Sequence, residues 1–280
     1  MVDKYLITGA TGFLGQELVK CAVQRGVDVV GIGHSEDRII QTKEKLGIDL
    51  FCLDIGTNKE LLNSIVCENN ITHIIHAAAM KHVGLCEKNP IKAIETNILG
   101  SKNILEVALR NSLKNLIGIS TDKTLQPSCV YGMTKALMEK MFLQHGFSVY
   151  QGVNFFASTG SVLDIWYRQF LNKKKITIVG ENCVRFFVEK EPTAKIILDQ
   201  INTKQKIITN DICHKIYLYD LAEAFCEYFN YHEIKTIEKM TVEKKVEVLP
   251  NGVKVINADK NTIYNLIENH FQKVTTKEGF

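Results

Sequence analysis

Between Ser120 and Lys135 the chain gathers side chains that can move protons. Ser120-Thr121-Asp122-Lys123 sets two hydroxyls, an acid and an amine in succession, and Tyr131-Gly132-Met133-Thr134-Lys135 adds a phenol and a second amine. Tyr131 and Lys135 are four apart and share a helix face. An ammonium beside a phenol favours the phenolate, which would make Tyr131 a base near neutral pH. On spacing alone, a surface tyrosine and a solvated lysine account for the pair, so its context has to decide.

That context is a strand ending at the reactive run. Leu116-Ile117-Gly118-Ile119 predicts a strand whose C-terminal end delivers Ser120 to Lys123, the edge at which open α/β sheets bind ligands. After Pro127 a helix is expected from about Tyr131 to Gln144. At the start of the chain, the apolar run Lys4 to Thr8 leads into Gly9-Ala10-Thr11-Gly12-Phe13-Leu14-Gly15, then Leu18, Val19, Ala22 and Val23 at helical spacing. Strand, glycine turn and helix in that order let a pyrophosphate approach bare N–H groups at a helix N-terminus. Gly9, Thr11, Gly12, Phe13, Leu14 and Gly15 are therefore expected to bind a dinucleotide.

Alternation continues. Strands are expected at Val27 to Ile32, Leu50 to Leu53 and His73 to Ala79, with helices at Arg38 to Leu46 and around Leu61 to Val66. Ala77, Ala78 and Ala79 are small enough for a cofactor to come close. After the second strand, His34, Ser35 and Arg38 could take a 2′-phosphate, while Glu36 and Asp37 could take a ribose diol. Asp54 is placed to meet the adenine edge or to cap a turn. Pro90 to Arg110 reads as one long helix, on which Asn97 is either a structural bridge or an organiser of the site. Val149 to Phe156 is expected as a sixth strand with Asn154 at its far end. Val162 to Leu171 reads as a helix. Ile176 to Val179, Pro192 to Gln200, Ile207-Ile208 and Leu221 to Phe229 read as strand, helix, strand and helix of a smaller substrate-covering region. Val246 to Lys273 is expected to form two strands about Pro250-Asn251-Gly252 and a closing helix. No linker rich in Pro, Gly or Ser appears, so one continuous body is expected.

Composition narrows the class. A chain of 280 residues, 45% apolar with net charge +3, is an ordinary globular chain without the clustered basicity of a nucleic-acid binder. Lys173-Lys174-Lys175 reads as a solvated loop. The eight cysteines show no C-x-x-C spacing and read as reduced core residues, with no metal site. No apolar run is long enough to span a membrane and no signal segment opens the chain, so a cytoplasmic protein without membrane partners is expected.

Together these residues resemble the extended short-chain dehydrogenase/reductases, and within them the inverting 4,6-dehydratases acting on UDP-N-acetylglucosamine. The resemblance rests on Thr8 to Gly15, His76-Ala77-Ala78-Ala79-Met80-Lys81-His82-Val83, Glu87-x-Asn89-Pro90, Thr96-Asn97-x-x-Gly100, Ser120 to Lys123 and Tyr131-x-x-x-Lys135. Gly152-Val153-Asn154, Gly160-Ser161-Val162 and Arg185-Phe186-Phe187 give a fainter echo. Relatives that retain configuration at C5 usually carry Asp-Glu where this chain has Asp122-Lys123.

The resemblance implies an α/β fold with a doubly wound parallel Rossmann sheet in residues 1–155 and a smaller C-terminal substrate-binding region in 156–280, interleaved with late Rossmann elements. It implies NADP, with NAD as the alternative. Members often carry Ser-Arg-Asp-Glu where this chain has His34-Ser35-Glu36-Asp37, with Arg38 nearby. Ile55, Lys81, Asn97, Tyr131 and Lys135 would join the cofactor residues. Lys81, Thr121, Asn154, Ser161, Val162 and Arg185 would bind UDP-N-acetylglucosamine, and Thr121, Asp122, Lys123, Tyr131 and Lys135 would do the chemistry. A homo-oligomer, a dimer or hexamer, is also implied. A 4-epimerase, a 4-keto reductase and a nonenzymatic NADP-sensing protein are the rival readings.

Overall fold

The structure, a computed structural model, describes residues 3–179, 183–237 and 247–275, with side chains to residue 272. In chain order the first elements are β1 (Lys4–Thr8), α1 (Phe13–Gln24), β2 (Asp28–Gly33), α2 (Glu36–Leu46), β3 (Asp49–Cys52), α3 (Lys59–Glu68), β4 (His73–His76), α4 (Val83–Lys88) and α5 (Pro90–Ile94). A π-turn (Glu95–Leu99) leads to α6 (Gly100–Arg110), β5 (Asn115–Thr121), a 3₁₀ turn (Asp122–Thr124), α7 (Val130–Gln144), β6 (Ser148–Gly152) and β7 (Asn154–Phe155). Then come α8 (Val162–Leu171), β8 (Ile176–Val179), β9 (Val184–Val188), α9 (Lys190–Gln200), β10 (Ile207–Ile208), β11 (Ile212–Tyr217), α10 (Leu218–Tyr228), β12 (Ile234–Ile237), β13 (Lys254–Asn257) and α11 (Lys260–Thr275).

Two compact units divide these elements: Met1–Gly152 with Glu189–Asn210, and Val153–Val188 with Asp211–Phe280. The first holds a seven-stranded sheet in the order β10-β6-β5-β4-β1-β2-β3, parallel throughout. Strands covered on both faces read as continuous apolar runs, as Leu6-Ile7 and Ile74-Ile75 do, all fully buried. Strand order reverses between β1 and β4, which opens a crevice at their carboxyl ends, where the glycine turn and Ala77 begin.

The second unit holds a sheet ordered β13-β11-β9-β7 and a parallel pair, β12 with β8. Its core packs Trp166, Ile178, Phe225, Ile267 and Phe271, and the Trp166 indole N–H donates to Thr177 O at 2.7 Å.

Several expectations change. The fourth strand stops at His76, because Ala77 to Lys81 leave the sheet. The helix expected over 90–110 runs continuously, but widens into a π-helical stretch over Glu95–Leu99. The sixth strand is split: β6 ends at Gly152 and β7 pairs with β9 in the other sheet. Helix α9 and β10, expected in the smaller region, belong to the first unit, where α9 packs on α1 through Arg25–Asp199 at 2.8 Å and β10 extends the sheet beside β6. Among the described residues no hairpin forms about Pro250, and β13 pairs in parallel with β11; Val246 lies outside the described residues. Strands β9, β11 and β12 and helix α4 had no expectation. Six cysteines are buried, but Cys52 and Cys67 are exposed. Among the described residues no helix is long and apolar enough to cross a membrane, and no cluster of His, Cys, Asp or Glu is arranged to hold a metal.

Candidate active site

The glycine turn is built for close approach. Gly9 has φ +68°, and a Cβ there would stand 2.8 Å from Ala78 N, so only glycine lets β1's exit lie against the Ala77–Ala78 backbone. Gly12 caps α1 without a side-chain hydrogen bond, and α1 carries no acid in its first turn. Its N–H groups and dipole are thereby left for an external anion, which is the fit a dinucleotide pyrophosphate requires. Thr11 and Leu14 are buried and Phe13 is half-buried.

Behind Ala78 a directed hydrogen-bond chain fixes the loop. Ala78 N–H donates to Thr8 Oγ1 (3.3 Å), which lies 2.7 Å from His76 Nδ1; His76 Nε2 lies 2.9 Å from Ser101 Oγ, which donates to Asn97 O at 2.7 Å. Ser101 spends its proton on the carbonyl, so His76 must carry its own on Nε2 and accept from Thr8 on Nδ1. Full burial, with the nearby Lys135 charge, pulls the imidazole down to about 3, which keeps it neutral.

Asn97, at 1% exposure, is the bridge between elements. Its Oδ1 accepts from Met80 N (2.8 Å), and its Nδ2 donates to Met80 O and to Thr134 Oγ1, both at 3.0 Å. One amide so ties the π-turn to the loop carrying Lys81 and to α7.

Helix α7 starts where Val130 N–H donates to Glu87 Oε1 at 2.7 Å. Gly132 then passes so near the 3₁₀ turn that a Cβ would stand 2.5 Å from Lys123 O. This brings Tyr131 beside the reactive run. Thr121 Oγ1 donates to Asp122 Oδ1 at 2.8 Å, and Lys123 Nζ lies 3.1 Å from the same oxygen. The expected lowering of Tyr131 by Lys135 is corrected: burial pushes the phenol up to about 12, and the cation drawing it back is Lys123, aided by a hydrogen bond with Thr121. Lys135 is itself buried, its ammonium 3.0 Å from Met138 Sδ, and desolvation lowers it to about 7.

Further along the sheet edge, His34 and Arg38 are exposed and Ser35 is the N-cap of α2, with Glu36 and Asp37 in its first turn. Asp54 Oδ1 takes the Gly56 N–H at 2.8 Å and Oδ2 pairs with Lys92 at 3.4 Å, so its carboxylate caps a turn. Ile55 is buried in the core and its carbonyl accepts from Asn103.

In the second unit, Asn154 Nδ2 donates to Glu247 Oε2 at 2.7 Å, and Arg185 Nε lies 3.6 Å from Glu247 Oε1. Ser161 caps α8 with its hydroxyl buried and unpartnered among the described residues, and Val162 packs on the core. Glu247, Ser101 and the Thr8–His76 contact had no functional expectation. Long-range hydrogen bonding assigns them, and only a repeated polar residue beside apolar strands hints at it in the sequence.

Comparison with known proteins gives the chain its place. A family model described as polysaccharide biosynthesis protein matches residues 5–266. The chain is 31% identical over 205 residues to a UDP-N-acetylglucosamine 4,6-dehydratase (inverting) of Campylobacter jejuni, covering 69% of this chain and 61% of that protein. It thus spans less than two thirds of that relative's length. It is 29% identical over 285 residues to a UDP-glucose 4-epimerase of Rickettsia rickettsii, covering 92% and 81%. The solved UDP-glucose 4-epimerase of Thermus thermophilus, a complex with NAD, shares the fold at TM-score 0.81 and 20% identity, over 96% of this chain and 99% of that one. With a parallel, doubly wound sheet beneath its glycine turn, the chain belongs to the polysaccharide biosynthesis protein family of the extended short-chain dehydrogenase/reductases.

Proposed function

We propose that this protein is a nucleotide-sugar 4,6-dehydratase that inverts C5, using NADP and acting on UDP-N-acetylglucosamine. The observation that carries this reading is the contact of Lys123 Nζ with Asp122 Oδ1 at 3.1 Å, on the turn between Thr121 and the helix of Tyr131. Elimination across C5 and C6 needs a base for one carbon and an acid for the other. One proton passed from the Lys123 ammonium to the Asp122 carboxylate generates both at once, a neutral amine and a carboxylic acid.

A bound dinucleotide supplies the hydride acceptor for C4 and the hydride donor for C6. Tyr131 takes the O4 proton as the phenolate, the form that Lys123 and the Thr121 hydrogen bond favour against the burial that raises it, and Thr121 holds O4 by hydrogen bonding. The ketone then acidifies the C5 hydrogen, Lys123 removes it, and Asp122 protonates the departing C6 hydroxyl, which leaves as water. Return of a proton to the opposite face of C5 gives the L-configured 4-keto product, UDP-2-acetamido-2,6-dideoxy-L-hexos-4-ulose. Gly9 to Gly15, Ala77 to Ala79 and Arg38 would hold the dinucleotide, and Asn154, Ser161, Val162 and Arg185 are proposed as sugar-nucleotide residues. Exposed Leu85, Ile91, Ile94, Met133 and Leu137 on α4, α5 and α7 support a homo-oligomer formed through that apolar face.

The test is to mix the purified protein with UDP-N-acetylglucosamine in deuterated water and follow the product. A 4-keto sugar carrying deuterium at C5 is expected, and Lys123→Glu and Asp122→Asn are expected to abolish it while leaving dinucleotide binding intact. A 4-keto product without label removes the C5 step. A 4-epimerase is the second reading, favoured by the 92% of this chain aligned with the Rickettsia relative. Epimerisation has no use for the acid–base pair, and its product would be an unlabelled C4 epimer.

A further inference from the structure

Lys135 and Glu139 lie one turn apart on α7, and both are buried, at 2% and 8% exposure. The ammonium of Lys135 has a thioether, Met138 Sδ, as its hydrogen-bond acceptor among the described residues. A charge removed from water and met by so weak an acceptor depends on a counter-charge. Glu139, four residues on along the same helix and also buried, is the acid placed to provide it, and its charge opposes the lowering that burial imposes on Lys135. His76 from β4 also faces this lysine and is held neutral, while Tyr131 shares α7 and Asp122 and Lys123 stand on the adjoining turn.

The Glu139 carboxylate also has mechanical connections. Thr124 Oγ1, on the turn that carries Asp122 and Lys123, is 2.9 Å from Glu139 Oε1 and 2.8 Å from Thr121 O. Gln151 Nε2, on β6, reaches Glu139 Oε1 and Oε2 at 3.1 and 3.0 Å. A single buried carboxylate so joins the reactive turn, the tyrosine helix and the neighbouring strand.

We propose that Glu139 is a positioning residue of this site: its carboxylate fixes the Asp122–Lys123 turn against α7 through Thr124 and supplies the buried negative charge that faces Lys135. The catalytic consequence rests on the dehydratase reading. The structural and electrostatic claim does not. A carboxylate lost at this point both loosens the distance between the two halves of the reactive set and leaves the lysine's charge uncompensated.

The test compares parent, Glu139→Gln and Glu139→Asp as full-length proteins carrying ¹³C-labelled lysine side chains, with the Lys135 resonance assigned by its loss in Lys135→Met. In Glu139→Gln the Lys135 titration is expected to move to lower pH by about half a unit or more. Product formation is expected to fall about 10- to 100-fold in kcat, with KM for the sugar nucleotide within about threefold, and to recover in large part in Glu139→Asp. The alkaline limb of the pH profile should move in the same direction as the resonance. An unmoved Lys135 titration in a folded Glu139→Gln protein overturns the proposal, as does a kcat loss with an unshifted pH profile. Should Glu139→Gln fail to fold, the exchange Glu139→Gln with Gln151→Glu keeps the hydrogen bond while moving the charge to β6, and the same shift is expected. Absence of any 4-keto product from the parent would remove the dehydratase reading while the lysine titration still decides the role of Glu139.

Discussion

The side-chain amide of Asn97 donates to Thr134 Oγ1 over 3.0 Å, joining residues 37 apart in sequence across the break between a π-turn and the tyrosine helix. The same amide closes two further bonds on Met80, so the loop that leaves β4 and the helix that carries Tyr131 are held by one buried group. A π-turn at this point is the local distortion that brings Asn97 within reach of both.

Replacing Asn97 with alanine strands the Met80 N–H and carbonyl in a half-buried place. A loss of about 2 kcal/mol of stability is expected from unsatisfied backbone groups, together with weaker dinucleotide binding. Denaturant unfolding and a binding titration check the two effects. Unchanged stability would show that water or another side chain takes over the Met80 groups.

The neutral His76 makes folding acid-sensitive. Its folded value of about 3 lies below the unfolded 6.5, so the unfolded chain binds the extra proton between those limits. Stability is therefore whole above pH 6.5 and falls as pH drops toward 3, with a slope approaching ~1.4 kcal/mol per pH unit from this residue. Unfolding measured between pH 4 and 7 should show a shallower slope in His76→Asn than in the parent.

Gly132 is expected to be intolerant of a methyl group. A Cβ at 2.5 Å from Lys123 O has backbone in its way, so Gly132→Ala must push the 3₁₀ turn from α7. Misplacing Asp122 and Lys123 by about 1 Å should cost roughly 10²-fold in kcat while dinucleotide affinity is retained. A fully active Gly132→Ala protein would show that the spacing of turn and helix is not critical.

Arg38 should read the cofactor. It is exposed in the first turns of α2, with His34 and Ser35 just before it, while Glu36 and Asp37 occupy the helix start. Arg38→Ala is expected to weaken NADP by about tenfold or more, the value of one charge-assisted hydrogen bond, and to leave NAD unchanged. Equal weakening of both would remove Arg38 from the 2′-phosphate.

The amino-acid sequence by itself determined the parallel sheet, the glycine turn and the two reactive clusters, because these depend on short-range patterns. Apolar runs such as Leu6-Ile7 and Ile74-Ile75 specify buried strands, glycine at positions 9, 12 and 15 marks a phosphate-sized approach, and a four-residue spacing puts Tyr131 and Lys135 on one face. Tertiary structure alone decided which polar groups meet. Sequence spacing suggested that Lys135 would tune Tyr131, yet the helix buries that ammonium against Met138, with Glu139 one turn on, and Lys123, from a different element, faces the phenol. Burial sets the sign of each shift, and burial depends on what the other strands and helices pack over a side chain. The same holds for His76, whose tautomer follows from Thr8 and Ser101, residues 68 and 25 positions away, and for α9 and β10, which return to the first unit because their partners, α1 and β6, lie there.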